Sequence, residues 1–567
     1  MDMRPLYFLP ALVVAGLSAH LAYAQGQVPQ GSPIPRILPS APPAVGPGAT
    51  IPQPQAPEAA PTGTAAIRRV TIEGATAYTA QQLDSTIADL ISPDTPLAKI
   101  EAARLAILDR YRDGGFLLTA VFANIDQQGT LTFLVTEGRI AEVKLDGDIG
   151  PAGTTVLRFL NHLTEQRPID IATLERWLLL AQEVPGVTLR AVLRPSTDEP
   201  GALTLIAEVK RAAFSGLFVA DNAAYPKTGP AEGLLVLDAN SFTEYGDKTE
   251  ATVYHTSGNT SNFGQVSTEL FVGGTGLRVQ IYGGYGPTHP SSPLRDIGYE
   301  GTTTVFGVSA RYPLIRRRQQ TLDLTASLDA IESDVNIGNG AVSVSKDTLR
   351  VLRVGASYAL HDTLLGADRS ATNSIKVRLS QGLPAFGASV SVGNSTSDSI
   401  AVVDFTKINA EISRTQILFE PWNGADISLL GLVAGQKSNQ VLPEVEQFQL
   451  GGLQLNPGYY SGEVTGDSGL AFYAELQLND TWNIPIWRHF DAATQFFGFW
   501  SWGETWNNGP LRLNSRIASA GGGVRLSLTG YAEFDVIGVS RFVLNPSGAS
   551  VTPLRTDAAY WRVIVHF

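Results

Sequence analysis

From Phe214 to Phe567 the sequence reads as one strand after another, cut by Gly, Asn, Asp and Ser. In "LDLTASLDA", Leu322, Leu324, Ala326, Leu328 and Ala330 share one face, and Asp323, Thr325, Ser327 and Asp329 share the other. "SIKVRLSQGL" sets Ile375, Val377 and Leu379 against Lys376, Arg378 and Ser380, and "LRVQIYGGY" sets Leu277, Val279 and Ile281 against Arg278, Gln280 and Tyr282. Successive side chains of a strand point to opposite faces, so a period of 2 sustained this far predicts one large antiparallel sheet system. The closing stretch "AYWRVIVHF" is itself such a strand. Trp561, Val563, Val565 and Phe567 lie on one side; Arg562, Ile564 and His566 lie on the other. An apolar strand with an open edge invites aggregation. This one is expected to pair with the first strand of the system and leave no edge.

The alternation alone does not say which way the apolar face points. A soluble barrel or propeller turns it inward, and a membrane barrel turns it to lipid. The N-terminal stretch favours the membrane. Arg4, an apolar run from Leu6 to Leu17 and the small-x-small site Ala22-Tyr23-Ala24 make residues 1–24 a secretory signal peptide, with an uncleaved anchor as the alternative. No later run reaches the ~18 apolar residues of a spanning helix, so insertion must use strands. The chain has no Cys, which excludes a disulfide scaffold, a thiolate metal site and a Cys nucleophile. Charged residues make 17%, below the ~25% of soluble domains. A net charge of −12 argues against a nucleic-acid partner.

Residues 25–65 are Pro-rich, with Gln, Ala and Gly between, and read as an extended spacer rather than a core. Residues 66–140 then run strand, helix, helix, strand, strand. "LAKIEAARLAILDRYRDGG" is the clearest helix, with Ile100, Ala103, Ile107, Leu108 and Tyr111 on one face and Gly114 after its end. Residues 141–212 repeat the order, with a second helix closed by Pro185-Gly186. The fold class expected is thus two α+β modules followed, over 213–567, by a C-terminal transmembrane β-barrel.

Two such modules before a terminal barrel resemble the outer-membrane transporters of two-partner secretion, the haemolysin and filamentous-haemagglutinin exporter family. The modules look like POTRA domains, and the superfamily also holds the barrel-assembly insertase; the resemblance implies a barrel of about sixteen strands, which residues 213–567 supply at roughly 22 residues per strand with its connection. Asp221-Asn222, Thr228-Gly229 and Gly246-Asp247 sit where the family's first barrel hairpin has them. "VSARYPLIRRRQQTLDLTASLDAIES" resembles a mid-barrel hairpin. "LGGLQLNPGYYSGEVTGDSGLAFYAEL" resembles the long loop that folds back into the channel, with Gly451, Gly452, Pro457, Gly458, Tyr459, Gly462, Glu463, Gly466 and Asp467 as its motif positions. Trp561, Val563, Val565 and Phe567 resemble the family's C-terminal assembly signal.

The resemblance implies a transporter in the bacterial outer membrane with its POTRA pair in the periplasm. The pair would bind an unfolded secreted partner, a large β-helical exoprotein, and the barrel would conduct it outward. It further implies contact with outer-membrane lipid and the barrel-assembly machinery, a monomer, and no cofactor or metal. A barrel assembly or insertion factor is the alternative. An enzyme is not expected: His289 near Asp296, and His255, lack a nucleophile motif, and neither GxSxG nor HExxH occurs. No Walker-type GxxxxGK[ST] occurs either, and the resemblance implies that energy comes from the client folding outside. Polar inner walls, with Lys376, Arg378, Asp323 and Asp329 among them, are expected to let a chain slide.

One departure stands out. The family's channel loop carries Val-Arg-Gly-Tyr, and its Arg reaches an Asp in a Phe-x-Asp-x-Gly wall strand. Here Pro457 stands at the Arg position, and "FWSWG" puts Ser501 at the Asp position between Phe499 and Gly503. Both charges are absent together. The loop is expected to fold into the lumen without that ion pair. Pro457 would stiffen its tip, and those of Tyr459, Tyr460, Trp500 and Trp502 that face the loop would offer aromatic packing.

Overall fold

The computed structural model describes residues 63–196, 199–392, 400–484, 490–510, 514–528, 531–546 and 553–567. The signal peptide expected over 1–24 and nearly all of the Pro-rich segment over 25–65 lie outside them. Thr64 and Ala65, at that segment's end, already pair with Pro96 and Thr95.

In the first module, Arg69–Glu73 runs parallel to Thr130–Thr136, which pairs antiparallel with Ala120–Ile125. Helices α1 (Ala80–Ile87) and α2 (Leu97–Asp113) accompany this sheet. α2 buries Ile100, Ala103, Ile107, Leu108 and Tyr111, the stripe expected from its spacing. Gly114 caps its end. α1 is shorter than its apolar pattern suggests. The chain turns extended at Ser92–Pro96 to pair with Thr64–Ile67, and Pro93 and Pro96 each push the preceding residue out of the helical region.

The second module repeats the plan. Arg139–Asp146 lies parallel to Ala202–Arg211, which pairs with Val187–Pro195. Helices α3 (Ala152–Asn161) and α4 (Ile171–Gln182) bury their apolar faces with these strands. The Asp170 carboxylate accepts from the Thr173 amide at 2.8 Å and caps α4.

The rest closes into a barrel. Its strands are β1 (Phe214–Asp221), β2 (Glu232–Asn240), β3 (Lys248–Thr256), β4 (Asn262–Val272), β5 (Leu277–Thr288), β6 (Glu300–Arg316), β7 (Gln320–Ile337) and β8 (Val342–Asp362). There follow β9 (Ala371–Gly382), β10 (Thr406–Phe419), β11 (Asp426–Ser438), β12 (Ser468–Ile484), β13 (Phe490–Trp506), β14 (Asn514–Leu528), β15 (Ala532–Arg541) and β16 (Asp557–His566). Ser389–Val392 continues the line of β9 along β8, so the count is sixteen strand positions. β6, β7 and β8 have 17, 18 and 21 residues, longer than the ~10 a membrane requires, and so extend beyond it.

The apolar face points outward. Leu324, Leu328, Ile375, Val377 and Leu379 are exposed on the barrel's outside, while Asp323, Ser327, Asp329 and Ser380 are buried within. Of the expected lumen charges, Asp323 pairs with Arg311 at 2.6 Å and Lys376 with Glu411 at 3.0 Å.

The last strand closes the ring against β1, with Arg562 opposite Asp221 and His566 opposite Leu217. Phe567 extends the ladder by two bonds to Gly216, one donated by each amide, at 3.1 and 2.7 Å. A Cβ on Gly216 would run into the Phe567 ring, so glycine there makes room for the final aromatic. Deleting Phe567 removes both bonds, about 2 kcal/mol at about 1 kcal/mol each. We expect a severalfold loss of the heat-modifiable, folded form in outer membranes. Gly216→Val should cause a similar loss, and Gly216→Val with Phe567→Ala should recover part of it. A normal folded yield after the deletion would show that the seam does not depend on this residue.

The second module is locked to the near rim of the barrel. Phe271, at the end of β4, lies in the module's own apolar cluster, with its ring edge-on to Phe159 at 5.1 Å. Glu183, just after α4, receives Arg278 at 2.5 Å and also Arg316, on β5 and β6. Burial alone would raise this carboxyl, but the two guanidinium groups hold it below its ordinary value. Arg176 donates to the Pro313 carbonyl at 3.0 Å, and Ser241 to that of Pro185 at 2.7 Å.

Candidate functional site

Between β11 and β12, on the rim away from the modules, the chain makes a long connection over residues 439–467. It turns back into the barrel. Phe448–Leu450 and Val464–Gly466 pair as a small hairpin inside it. Gly466 presses on Thr505 of β13, where an added Cβ would come within 2.8 Å. Between these strands Gly451 and Gly452 adopt φ values of 107° and 85°, a region that favours glycine. The Gly452 amide donates to the Tyr459 carbonyl at 2.8 Å and closes the turn.

The tip reaches the inner wall of β13–β16. The Pro457 carbonyl accepts from Ser519 on β14, and the Ser519 and Ser501 hydroxyls are 2.8 Å apart. Gly458 has φ 106°, and a Cβ there would strike Val539 and approach Ser519. Tyr459 is fully buried. Its hydroxyl donates to the Ala518 carbonyl at 2.7 Å and accepts from the Val543 amide at 3.2 Å. Gly503 is matched to the loop as closely, since a Cβ there would lie 2.8 Å from Leu450. Phe499 stacks on Tyr473 at 5.7 Å, in a cluster against which Leu453 and Tyr460 pack. Gly462 has φ 72°. Asp467 is buried at the stem and accepts from the amides of Leu442 and Asn508, each at 2.7 Å.

The wall aromatics divide by face. Trp500 and Trp502 take no part in holding the tip. They alternate with Phe499, Ser501 and Gly503, so they face out of the barrel, and Trp500 is exposed there. The tip is held without that ion pair, yet a cation of the wall takes part. Arg541, at the end of β15, donates to the Gly458 carbonyl and, at 2.9 Å, to Tyr560; that hydroxyl donates to the same carbonyl at 3.0 Å. A cation on the wall thus grips the loop backbone, where the family pattern puts the cation on the loop. Glu463, with one buried oxygen that finds no hydrogen-bond donor among the described residues, lies in the field of the same Arg541.

A second anchor holds the loop's incoming limb. Glu446 is fully buried and takes Arg353 of β8 on both oxygens, at 2.6 and 3.1 Å, with Lys407 of β10 at 2.7 Å. Lys407 also donates to the Glu446 carbonyl at 2.6 Å. Arg353 spans onward to Asp329 of β7 at 2.5 Å. None of Glu446, Arg353, Lys407, Ser519, Arg541 and Tyr560 was singled out from the sequence. The readable signal was weak: each wall residue among them sits at inward parity on its strand.

The lumen walls depart from the polar expectation as well. Ile564, Val219, Leu234, Tyr254 and Phe263 are successive cross-strand partners from β16 through β1 to β4. Phe263 lies across Gly284 of β5, and Gly284, Val305, Ile331 and Leu349 continue the row to β8. Each side chain in this belt is at most 5% exposed. The walls are apolar here because loop segments fill the space: Phe405 and Leu442 belong to the same cluster, and Ala401, Val402, Val403 and Val445 pack against it.

A sixteen-strand barrel with two POTRA-like modules fixed to one rim and a loop folded into its lumen defines an outer-membrane transporter of the POTRA-barrel class. The model of the haemolysin secretion/activation protein family ShlB/FhaC/HecB matches residues 205–526, and that of the ShlB-type POTRA domain matches 65–138. The chain belongs to this family of two-partner secretion transporters; its barrel lies in the outer membrane and its modules in the periplasm. The fold is similar to that of CdiB from Escherichia coli (TM-score 0.70, 16% identity, covering 99% of this chain and 100% of that one). It is also similar to CdiB from Acinetobacter baumannii (TM-score 0.60, 14% identity, covering 98% and 99%). Compared with curated protein sequences, the chain finds no match.

Proposed function

We propose that the periplasmic modules bind an unfolded secreted partner, a large β-helical exoprotein, and that the barrel exports it. One observation carries this reading. Strand Ala120–Ile125 forms an edge of the first module's sheet, pairing only with Thr130–Thr136 among the described residues. Its Phe122 is 57% exposed opposite Leu134, itself exposed. An open edge offers main-chain bonds to an extended client, and the apolar pair beside it reads alternate side chains. The second module, locked to the rim by Glu183 and Phe271, hands the client to the pore. The wall residues Arg541, Arg353 and Lys407 hold the channel loop in the path that the client must clear.

Because Phe271 belongs to the second module's cluster, binding is best measured on the full chain in detergent. Calorimetric titration with the partner's unfolded N-terminal domain should show saturable heat. Phe122→Lys should weaken binding roughly tenfold, as expected for one lost anchor of about 1.4 kcal/mol. Heat that is absent, or unchanged by Phe122→Lys, would reduce the first module to a spacer.

A further inference from the structure

A lumen that only lets water and polar chain pass has no use for the apolar belt on β16 and β1–β8. Interior faces of large membrane barrels are polar. Here an oblique row of mostly bulky apolar side chains crosses half the strands of the wall, and Ala401, Val402, Val403, Phe405, Leu442 and Val445 of the chain's own connections join the same apolar cluster. Ile400–Phe405 reads "IAVVDF" and lies beside the limb that enters the channel loop: the Val402 amide donates to the Val441 carbonyl at 3.2 Å. Gln440 ties the two segments further, accepting from the Thr406 amide at 2.7 Å and donating to the Asp404 carbonyl at 3.2 Å. The occupant is thus a short apolar stretch of polypeptide, paired through its backbone and pressed by side chains onto the wall.

We propose that the belt is a binding surface for extended apolar segments of the exported polypeptide, and that residues 401–405 and 442–445 occupy it as internal stand-ins until the client displaces them. The inference rests on the export reading above. A client destined for a β-helix carries apolar residues at alternate positions, as a strand buried on one face must. Such a segment fits a wall that already holds Val402, Val403 and Phe405. The contact is sequence-tolerant, because apolar burial is non-directional. It also lets the wall trade its own loops for the client without exposing the belt to water.

The chain lacks Cys, so a single thiol reports on the belt. Leu349→Cys in the full-length protein, in proteoliposomes, should resist a membrane-impermeant maleimide. Adding Leu442→Asp or, separately, Val402→Asp with Val403→Asp should release the cover and speed labelling roughly tenfold, with heat-modifiability showing that the barrel stays folded. A synthetic peptide of sequence IAVVDF should then restore protection, and the same peptide with both Val replaced by Ser should not. The proposal is overturned if Leu349→Cys labels freely with native loops, if both folded release variants leave it protected, or if the two peptides act alike. None of these readouts involves module binding, so failure here and failure of the calorimetric test remain distinguishable.

Discussion

Glu446→Gln is expected to be the most damaging single conservative change in the channel loop. Glu446 and Asp329 face Arg353 and Lys407 in a site closed to solvent, and all four belong to one chain of contacts. The substitution keeps size and shape but leaves two cations against one carboxylate. Breaking a buried pair from one side costs about 3–5 kcal/mol, because the surviving charge stays buried. The folded barrel should convert to its unfolded form at a clearly lower temperature on heating, and the loop should become accessible to protease. The double variant Glu446→Gln with Lys407→Met removes the surplus cation and should regain most of the loss. If the single change leaves the heating transition where it was, the cluster does not anchor the loop. If the double is no better than the single, the damage lies in lost hydrogen bonds and not in charge.

The Glu446 cluster shows where sequence reading stops. Parity along one strand is a local property, so Asp323, Asp329, Leu324 and Ile375 could be assigned to faces from the text alone. The same parity, applied to "FWSWG", separates Trp500 and Trp502 from Ser501, so of the four aromatics only the tyrosines of the loop lie on the inner side. Register between distant strands is different. Glu446 meets Asp329, Arg353 and Lys407 only once β7, β8 and β10 have been slid into alignment. The apolar belt needs Val219 opposite Ile564, across almost the whole barrel sequence. Each belt residue alone looks like an ordinary inward apolar residue in a strand of mixed character. The loop motif was readable because its glycines are local necessities: Gly451, Gly452 and Gly458 adopt backbone angles that favour glycine. What grips the loop was not, because Arg541 and Tyr560 lie on strands 83 and 102 residues beyond Gly458.

Pro457→Arg alone should harm secretion more than Pro457→Arg combined with Ser501→Asp. In the native loop, the Pro457 carbonyl, Ser519 and Ser501 form one line of hydrogen bonds into the wall, and Arg541 holds the adjacent Gly458 carbonyl. A second guanidinium at position 457 would enter a pocket that already holds a cation. Without a new carboxylate it must repel Arg541 or pull the tip off the wall, at a cost of about 3 kcal/mol for an unpaired charge in a buried site. An Asp at 501 sits one hydroxyl away from the Pro457 carbonyl and supplies the missing partner, so the double change should recover most of the export. Pro457→Ala separates charge from stiffness: losing the ring should cost no more than about 1 kcal/mol, through the freer unfolded chain. The readout is partner released to the medium per folded barrel, so that assembly defects cancel. Equal losses from the single and double variants would show positions 457 and 501 to be uncoupled, leaving Arg541 and Tyr459 to hold the tip without them.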